Sequence, residues 1–195
     1  MKLATLSLCL LLLGSAAAST AAAETAFQLG IPGANVPGDP NVSGMRFSFL
    51  WGKNQSTAGL DLGLLSLSET SKQSGLALCL GIHKVTDEMK SAAVFSLVNW
   101  HTGTDSGMNG AFINLLNNTP GAFNLGFITI ATGETAVDLG GFNMSESSTA
   151  QIGFINITKR IDSFQFGFIN MAENGFLPFF PIFNFPKSVA ENNNE

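Results

Sequence analysis

Two histidines are the residues of this chain best suited to acid–base or metal chemistry. His83 and His101 each follow an apolar stretch and lie about one structural unit apart, so folding could bring them together. Acidic residues occur nearby at Asp87, Glu88 and Asp105. A metal site needs three or four converging ligands, and no Cys or further His joins this pair. We therefore predict surface or cap histidines and no metal ligands.

The other reactive residue types form no catalytic pattern. Cys79 lies in the apolar run 76–80, which predicts a buried and inert thiol. Serines are frequent, but no Gly-x-Ser-x-Gly occurs, and no Gly-Lys-Ser/Thr completes a phosphate-binding loop. The acidic residues are scattered through the spacers. The sequence therefore predicts no enzyme, no catalytic residue, no cofactor and no cofactor-binding residue.

A short phrase recurs along the chain and organises it. The phrase is a small residue, two large apolar residues, and then Asn or a replacement for it. Its fourth positions follow one another at steps of 15, 15, 14, 13, 14 and 14 residues. Such a fixed period marks a repeat architecture. The fourth positions are Asn99, Asn114, Thr129, Asn143, Asn156, Asn170 and Asn184.

Rows of asparagine are typical of side-chain amide ladders, which is the structural role we predict for them. Binding of a ligand or sugar along one edge is the alternative. Within a unit such as 164–171, phenylalanines alternate with small or polar residues at the period of a β-strand. We predict that Phe154 and Phe168, at equivalent positions of neighbouring units, are buried in the core.

The predicted fold class is all-β, a β-solenoid of about ten units of 13–15 residues. An antiparallel meander or a small outer-membrane β-barrel is the alternative. The spacers are nearly equal in length, and the last unit carries Pro178 and Pro181, which suit the edge strand that a solenoid has and a closed barrel lacks. In a solenoid, Asn156 lies over Asn170 while Phe154 lies over Phe168.

The N-terminus has the pattern of a secretory signal peptide. Lys2 precedes the apolar segment 6–13, and a run of alanines ends at Ala23, where we expect cleavage. No later apolar run is long enough for a transmembrane helix. We predict a signal peptide at 1–23, an N-terminal cap and loop at 24–44, a tandem β-repeat domain at 45–186, and a polar tail at 187–195.

Composition argues against nucleic acid as a partner. The net charge is −5, only 12% of residues are charged, and no basic cluster is larger than the pair Lys159-Arg160. Phosphate binding needs concentrated positive charge. The 45% hydrophobic residues, including 17 Phe, are enough to supply a core.

The repeat units resemble those of uncharacterised bacterial surface-repeat proteins, whose units read roughly Gly-Φ-Gln-Φ-Gly-Φ-Φ-Asn. The segments 150–156 and 164–170 carry this pattern, and 174–185 is similar to the terminal unit of that group. The likeness covers about 45–185 and is strongest after 95. It implies export and a location in the periplasm, the outer membrane or the cell surface. The group has no established chemistry, so no residue role is carried over.

Two functions follow from these observations. The first is an exported, non-enzymatic repeat protein of the bacterial envelope or surface, with a scaffold or adhesion-type role. The alternative is a small outer-membrane barrel, a pore or structural protein whose phenylalanines meet lipid while its small polar residues meet a lumen. The sequence identifies no particular partner beyond an association with the outer membrane or the surface.

Overall fold

The computed structural model describes residues 24–188, and these are almost entirely β-strand. The predicted signal peptide, 1–23, and residues 189–195 of the predicted tail lie outside the described residues. Two of the strands, β3 and β6, continue through several turns of the chain. The strands are β1 (Glu24–Ile31), β2 (Ala34–Val36), β3 (Asn41–His101), β4 (Thr104–Leu116), β5 (Asn118–Ala131), β6 (Glu134–Ala172) and β7 (Phe179–Asn184).

Successive turns of the chain pair in parallel and stack equivalent positions on one another. Asn99 is paired with Asn114, Asn114 with Thr129, and Thr129 with Asn143. The result is a β-solenoid of about eight turns. Parallel pairing of neighbouring turns confirms the predicted solenoid, since a meander or barrel of successive strands would pair them antiparallel. The sequence count of about ten units included less regular N-terminal segments and the final unit.

The two ends of the solenoid run against this parallel order. The three-residue strand β2 pairs antiparallel with β1, and β7 pairs antiparallel with the last turn of β6. In the β7 pairing Asn184 lies opposite Gln165, not over Asn170. The equivalence of the seventh phrase, 181–184, with the other six was therefore wrong. Pro181 does lie in an edge strand, as predicted, because β7 is the outermost strand of the sheet, and Pro178 directly precedes that strand.

Close stacking of the turns explains the small residue that opens each phrase. A Cβ atom added at Gly140, Gly153 or Gly167 would collide with the carbonyl oxygen of the equivalent glycine one turn earlier. For Gly140 that neighbour is Gly126. The backbones approach too closely there for any side chain, so the sequence has glycine turn after turn.

The strand alternation is as predicted, but the face that points inward is the opposite one. Gln165 and Asn170 are fully buried, whereas Phe166 and Phe168 are 51% and 65% exposed. Phe154 is 62% exposed, so the prediction that Phe154 and Phe168 form the buried core was wrong. A period of two shows which residues share a face, and it does not show which face is interior. Amides that repeat in register bond to each other, which satisfies them inside the solenoid.

Candidate functional site

The interior of the C-terminal turns is a column of hydrogen-bonded amides. Asn143 Nδ2 donates to Asn156 Oδ1 at 2.9 Å, and Asn156 Nδ2 donates to Asn170 Oδ1 at 2.8 Å. Asn99 Nδ2 donates in the same way to Asn114 Oδ1 at 3.0 Å. The predicted amide ladder is confirmed. So is the predicted stacking of Phe154 on Phe168, whose ring centroids are 5.2 Å apart on the outside of the solenoid.

A second polar column runs beside the first, five residues earlier in most turns. Asn109 donates to Asn124 at 3.0 Å, and Asn124 donates to Asp138 Oδ1 at 2.9 Å. Gln151 donates to Asp138 Oδ2 at 3.3 Å, and Gln165 donates to Gln151 at 2.9 Å. Burial raises the pKa of Asp138, and the hydrogen bonds that its carboxylate accepts from Thr135 and these neighbours oppose that rise.

The N-terminal turns have charged groups where the later turns have amides. Arg46 Nε lies 3.3 Å from Asp61 Oδ1, and His83 Nε2 lies 3.4 Å from Asp61 Oδ2, with all three side chains almost fully buried. Ser68 donates to Asp61 Oδ2 at 3.0 Å, and the Arg46 guanidinium also donates to Asn54 and Ser68. Arg46, Asp61 and His83 are called the ionic cluster below.

The ionic cluster continues into the second polar column through His101. The rings of His83 and His101 meet edge to face with their centroids 5.9 Å apart. His101 Nδ1 lies 2.7 Å from Asp105 Oδ2, which also accepts a hydrogen bond from Asn109 at 3.1 Å. Folding therefore does bring the two histidines together. Both are buried, at 0% and 1% exposure, so the prediction of surface or cap histidines was wrong.

Burial and charge act in opposite directions on the ionic cluster. Burial lowers the pKa of His83, and the neighbouring Asp61 carboxylate opposes that decrease. Burial alone would raise the pKa of Asp61, but the charge of Arg46, the adjacent His83 ring and the hydrogen bond from Ser68 lower it below its usual value. Burial lowers the pKa of Arg46 as well, against the pull of Asp61. The stable form has an Arg46–Asp61 ion pair beside a neutral His83.

These groups are almost fully buried and contact one another, so they form an internal ion pair and hydrogen-bond network. Within residues 24–188 no group of three or more His, Cys, Asp or Glu side chains is arranged to hold a metal ion. Cys79 is buried as predicted, and burial raises the pKa of its thiol, which disfavours the reactive thiolate.

The exterior presents large apolar side chains to solvent, and eight of them form one row at the bends of the turns between residues 50 and 168. They are 49–68% exposed. The stacked pair Phe112 and Phe127, with centroids 5.2 Å apart, belongs to this row. At Gly141 the row has a gap, and the Phe127 ring extends over that glycine. The row, called the apolar corner, consists of Leu50, Leu65, Leu80, Leu97, Phe112, Phe127, Phe154 and Phe168.

Apolar surface continues on both flanks of the apolar corner. Phe166, Leu78 and Leu125 lie on one flank and are 51%, 42% and 43% exposed, and Trp100 and Met171 lie on the other at 44% and 42%. The corner and its flanks form an apolar ridge along the turns from residue 50 to residue 171. At about 4.8 Å per turn, eight turns span about 38 Å.

Most charged side chains lie on the other side of each turn, and Lys53 and Lys84 lie at its border with the apolar flank, where Lys84 Nζ is 4.7 Å from the centroid of the Trp100 ring. Between residues 50 and 173, every charged side chain that is not buried follows the corner position of its turn by three to ten residues. These form the charged side of the solenoid, where Glu69 pairs with Lys53 at 2.9 Å and with Lys84 at 3.2 Å. Its members are Lys53, Glu69, Lys72, Lys84, Asp87, Glu88, Lys90, Glu134, Glu146, Lys159, Arg160, Asp162 and Glu173.

Sequence reasoning missed the ionic cluster and the inward direction of the polar face. One signal was present. A polar residue stands two places before the small residue of several units, as in Asp61-Leu-Gly63, Asp138-Leu-Gly140 and Gln165-Phe-Gly167. In the structure these polar residues are buried. A buried Asp in phase with buried Gln indicates a polar column in the interior, which in the structure lies beside buried apolar residues such as Val85, Met89 and Val94.

Comparison with known protein families, with curated proteins and with solved structures finds no match for this chain. In the described part of the chain no helix is long and apolar enough to cross a membrane.

Proposed function

We propose that this chain is an exported, non-enzymatic repeat protein of the bacterial envelope, with a scaffold or adhesion-type role that its apolar exterior performs. The observation that carries the proposal is the apolar corner. Soluble monomers rarely expose contiguous apolar patches larger than a few hundred Å², and larger ones mark interaction sites. A ridge along every turn is the surface through which such a protein would act.

Two further features support a structural role. The polar groups capable of acid–base chemistry are enclosed and bonded to one another, as with His101, Asp105 and Asn109. The amide columns hold each turn in register with the next, which favours a rigid rod that displays the same surface repeatedly. The signal-peptide pattern of 1–23 and the resemblance to bacterial surface-repeat proteins support location in the envelope.

Cell fractionation tests the envelope location. The full chain and a variant lacking residues 2–23 are expressed in a Gram-negative host, and each is followed by intact mass. We expect the full chain in the envelope fraction with Glu24 as its first residue, and the variant in the cytoplasm. Full-length protein in the cytoplasm with Met1 retained would contradict the proposal. So would a reproducible hydrolase or redox turnover that one conservative substitution abolishes.

A further inference from the structure

The geometry points to a specific occupant for the apolar corner, namely the hydrocarbon of an uncharged lipid layer, entered side-on with the charged side left in water. The inference rests on the proposed envelope role, because an exported envelope protein is one that meets lipid. It commits to lipid as the binding partner and to the bends of the turns as the part that is inserted.

Polarity is divided around each turn. Phe154 and Phe168 lie at the bend, while Lys159, Arg160 and Asp162 occupy the opposite part of the same turn. The same division holds from residue 50 to residue 173, with Lys53 and Lys84 at the border between the two sides. A long surface that is apolar on one side and charged on the other matches a boundary between hydrocarbon and water.

Exposed apolar side chains continue from the corner onto both flanks. A fluid acyl layer can surround the corner and both flanks at once, whereas a rigid partner would have to be complementary in shape to all three. Strand pairing between the ends of two copies is blocked where β7 covers the last turn and where β2 covers Leu29–Ile31 of β1.

The charge of the surface excludes an electrostatic mode of docking. The charged side has seven acidic and six basic residues with both signs interspersed, and the whole chain has net charge −5. Such a surface would gain no binding free energy from anionic lipid headgroups. Binding is therefore expected to uncharged phosphatidylcholine vesicles, to change little with salt, and to gain nothing from anionic lipid.

The decisive measurement is local. In a Trp51→Phe/Trp100→Phe background, a single tryptophan is placed either on the corner, Phe168→Trp, or on the charged side, Lys159→Trp. Both proteins are mixed with vesicles of phosphatidylcholine brominated on its acyl chains, which quenches tryptophan that enters the hydrocarbon. We expect several-fold quenching for Phe168→Trp and almost none for Lys159→Trp. A signal peptide that stayed attached could bind the whole chain to the vesicle, but it would not make the tryptophan at 168 more quenched than the one at 159.

A second measurement follows vesicle partition. The quadruple variant Phe112→Ser/Phe127→Ser/Phe154→Ser/Phe168→Ser is compared with Glu146→Ser/Lys159→Ser/Arg160→Ser/Asp162→Ser. Burial of one large apolar side chain changes an equilibrium by about tenfold or more. The corner variant should therefore lose at least about tenfold in partition, and the charged-side variant should not. Circular dichroism checks folding of each, and if the corner variant is unfolded the tryptophan pair decides.

Three outcomes would overturn the inference. They are no quenching at either tryptophan, equal quenching at both, and a stable dimer in sedimentation whose Phe168→Trp is shielded without lipid. The vesicle results do not depend on export, and the fractionation results do not depend on lipid. Loss of vesicle binding with intact export would remove only this inference, whereas cytoplasmic retention would remove the proposed function.

Discussion

The interiors of the two halves of the solenoid satisfy buried polar groups by different means. The later turns stack like on like, as with Asn143, Asn156 and Asn170, so each amide donates to the next. The earlier turns have an irregular set that includes Arg46 and His83, held by charge. Of the ten buried polar side-chain atoms without a hydrogen-bond partner in residues 24–188, nine lie at or before Asn109 and one at Asn143. Regular repetition is therefore what allows a polar interior to be satisfied.

Removing one member of the ionic cluster should have the largest effect. Asp61→Asn leaves the Arg46 guanidinium buried without its counter-charge, which typically costs about 3–5 kcal/mol of unfolding free energy. Urea denaturation measures it. Glu146→Gln, which breaks the exposed pair with Lys159, serves as the matched control in the later half and should cost less than about 1 kcal/mol. Equal effects of the two substitutions would contradict a charge-dependent N-terminal interior.

Replacing both charges sharpens the same test. Arg46→Met/Asp61→Leu removes the ion pair entirely, and apolar replacement of a buried pair is often neutral. We expect this double variant to be more stable than Asp61→Asn alone. A double variant at least as unstable as the single one would show that the cluster holds the turns through its hydrogen bonds and not its charge balance.

The amide ladder should respond next. Asn156 accepts from Asn143 and donates to Asn170, so Asn156→Ala leaves both neighbours incomplete and should cost about 1–3 kcal/mol. Asn156→Thr should cost less, because Thr129 already occupies this column and accepts from Asn114. The measurement is the urea midpoint of the two variants. A Thr variant no better than the Ala variant would contradict satisfaction through the ladder.

Acid should weaken the earlier half more than the later half. Because the pKa of His83 is lowered in the folded state, the unfolded chain binds a proton at His83 before the folded chain does as the pH falls. The contribution of His83 is therefore complete above about pH 6.5 and falls by up to about 1.4 kcal/mol per pH unit below it. Asp61, with a lowered pKa, adds a loss near and below about pH 4.

The raised pKa of Asp138 has the opposite sign, so its contribution is present at low pH and is lost as pH rises through its folded-state pKa. Hydrogen exchange at pH 7 and pH 5 should show faster opening of 61–101 than of 150–172. His83→Gln removes the titrating group while keeping a polar side chain, and it should reduce that difference. Parallel acceleration of both segments would contradict the assignment.

The smallest effect is expected on the outside. Phe168→Ala removes a ring that is 65% exposed and stacked on Phe154, so it should cost about 0.5–1.5 kcal/mol, as for an aromatic pair. Thermal unfolding compared with Lys159→Ala measures this. A loss of 3–5 kcal/mol, typical of a buried Phe, would show that the ring is enclosed.

Much of the fold could be predicted because the period of a repeat can be measured directly in the sequence. The spacing of Asn156 and Asn170, and the pairing of Phe154 with Phe168, follow from the period alone. The direction of the faces could not, since alternation is unchanged when a strand is turned over. The ionic cluster was also beyond reach, because Arg46, Asp61 and His83 belong to turns where the phrase is degraded and only the folded coils bring them together.

Because the strands at the two ends are reversed, the number of turns in this molecule can change without a change in how its ends are covered. Every inner turn offers the next one the same parallel edge, so copying or deleting a segment of about 14 residues would leave β2 and β7 with the same partners to cover. Each copied segment would lengthen the rod by about 4.8 Å. Gene duplication within the repeat can therefore adjust the reach of such a protein in small, even increments, with no new ends to evolve.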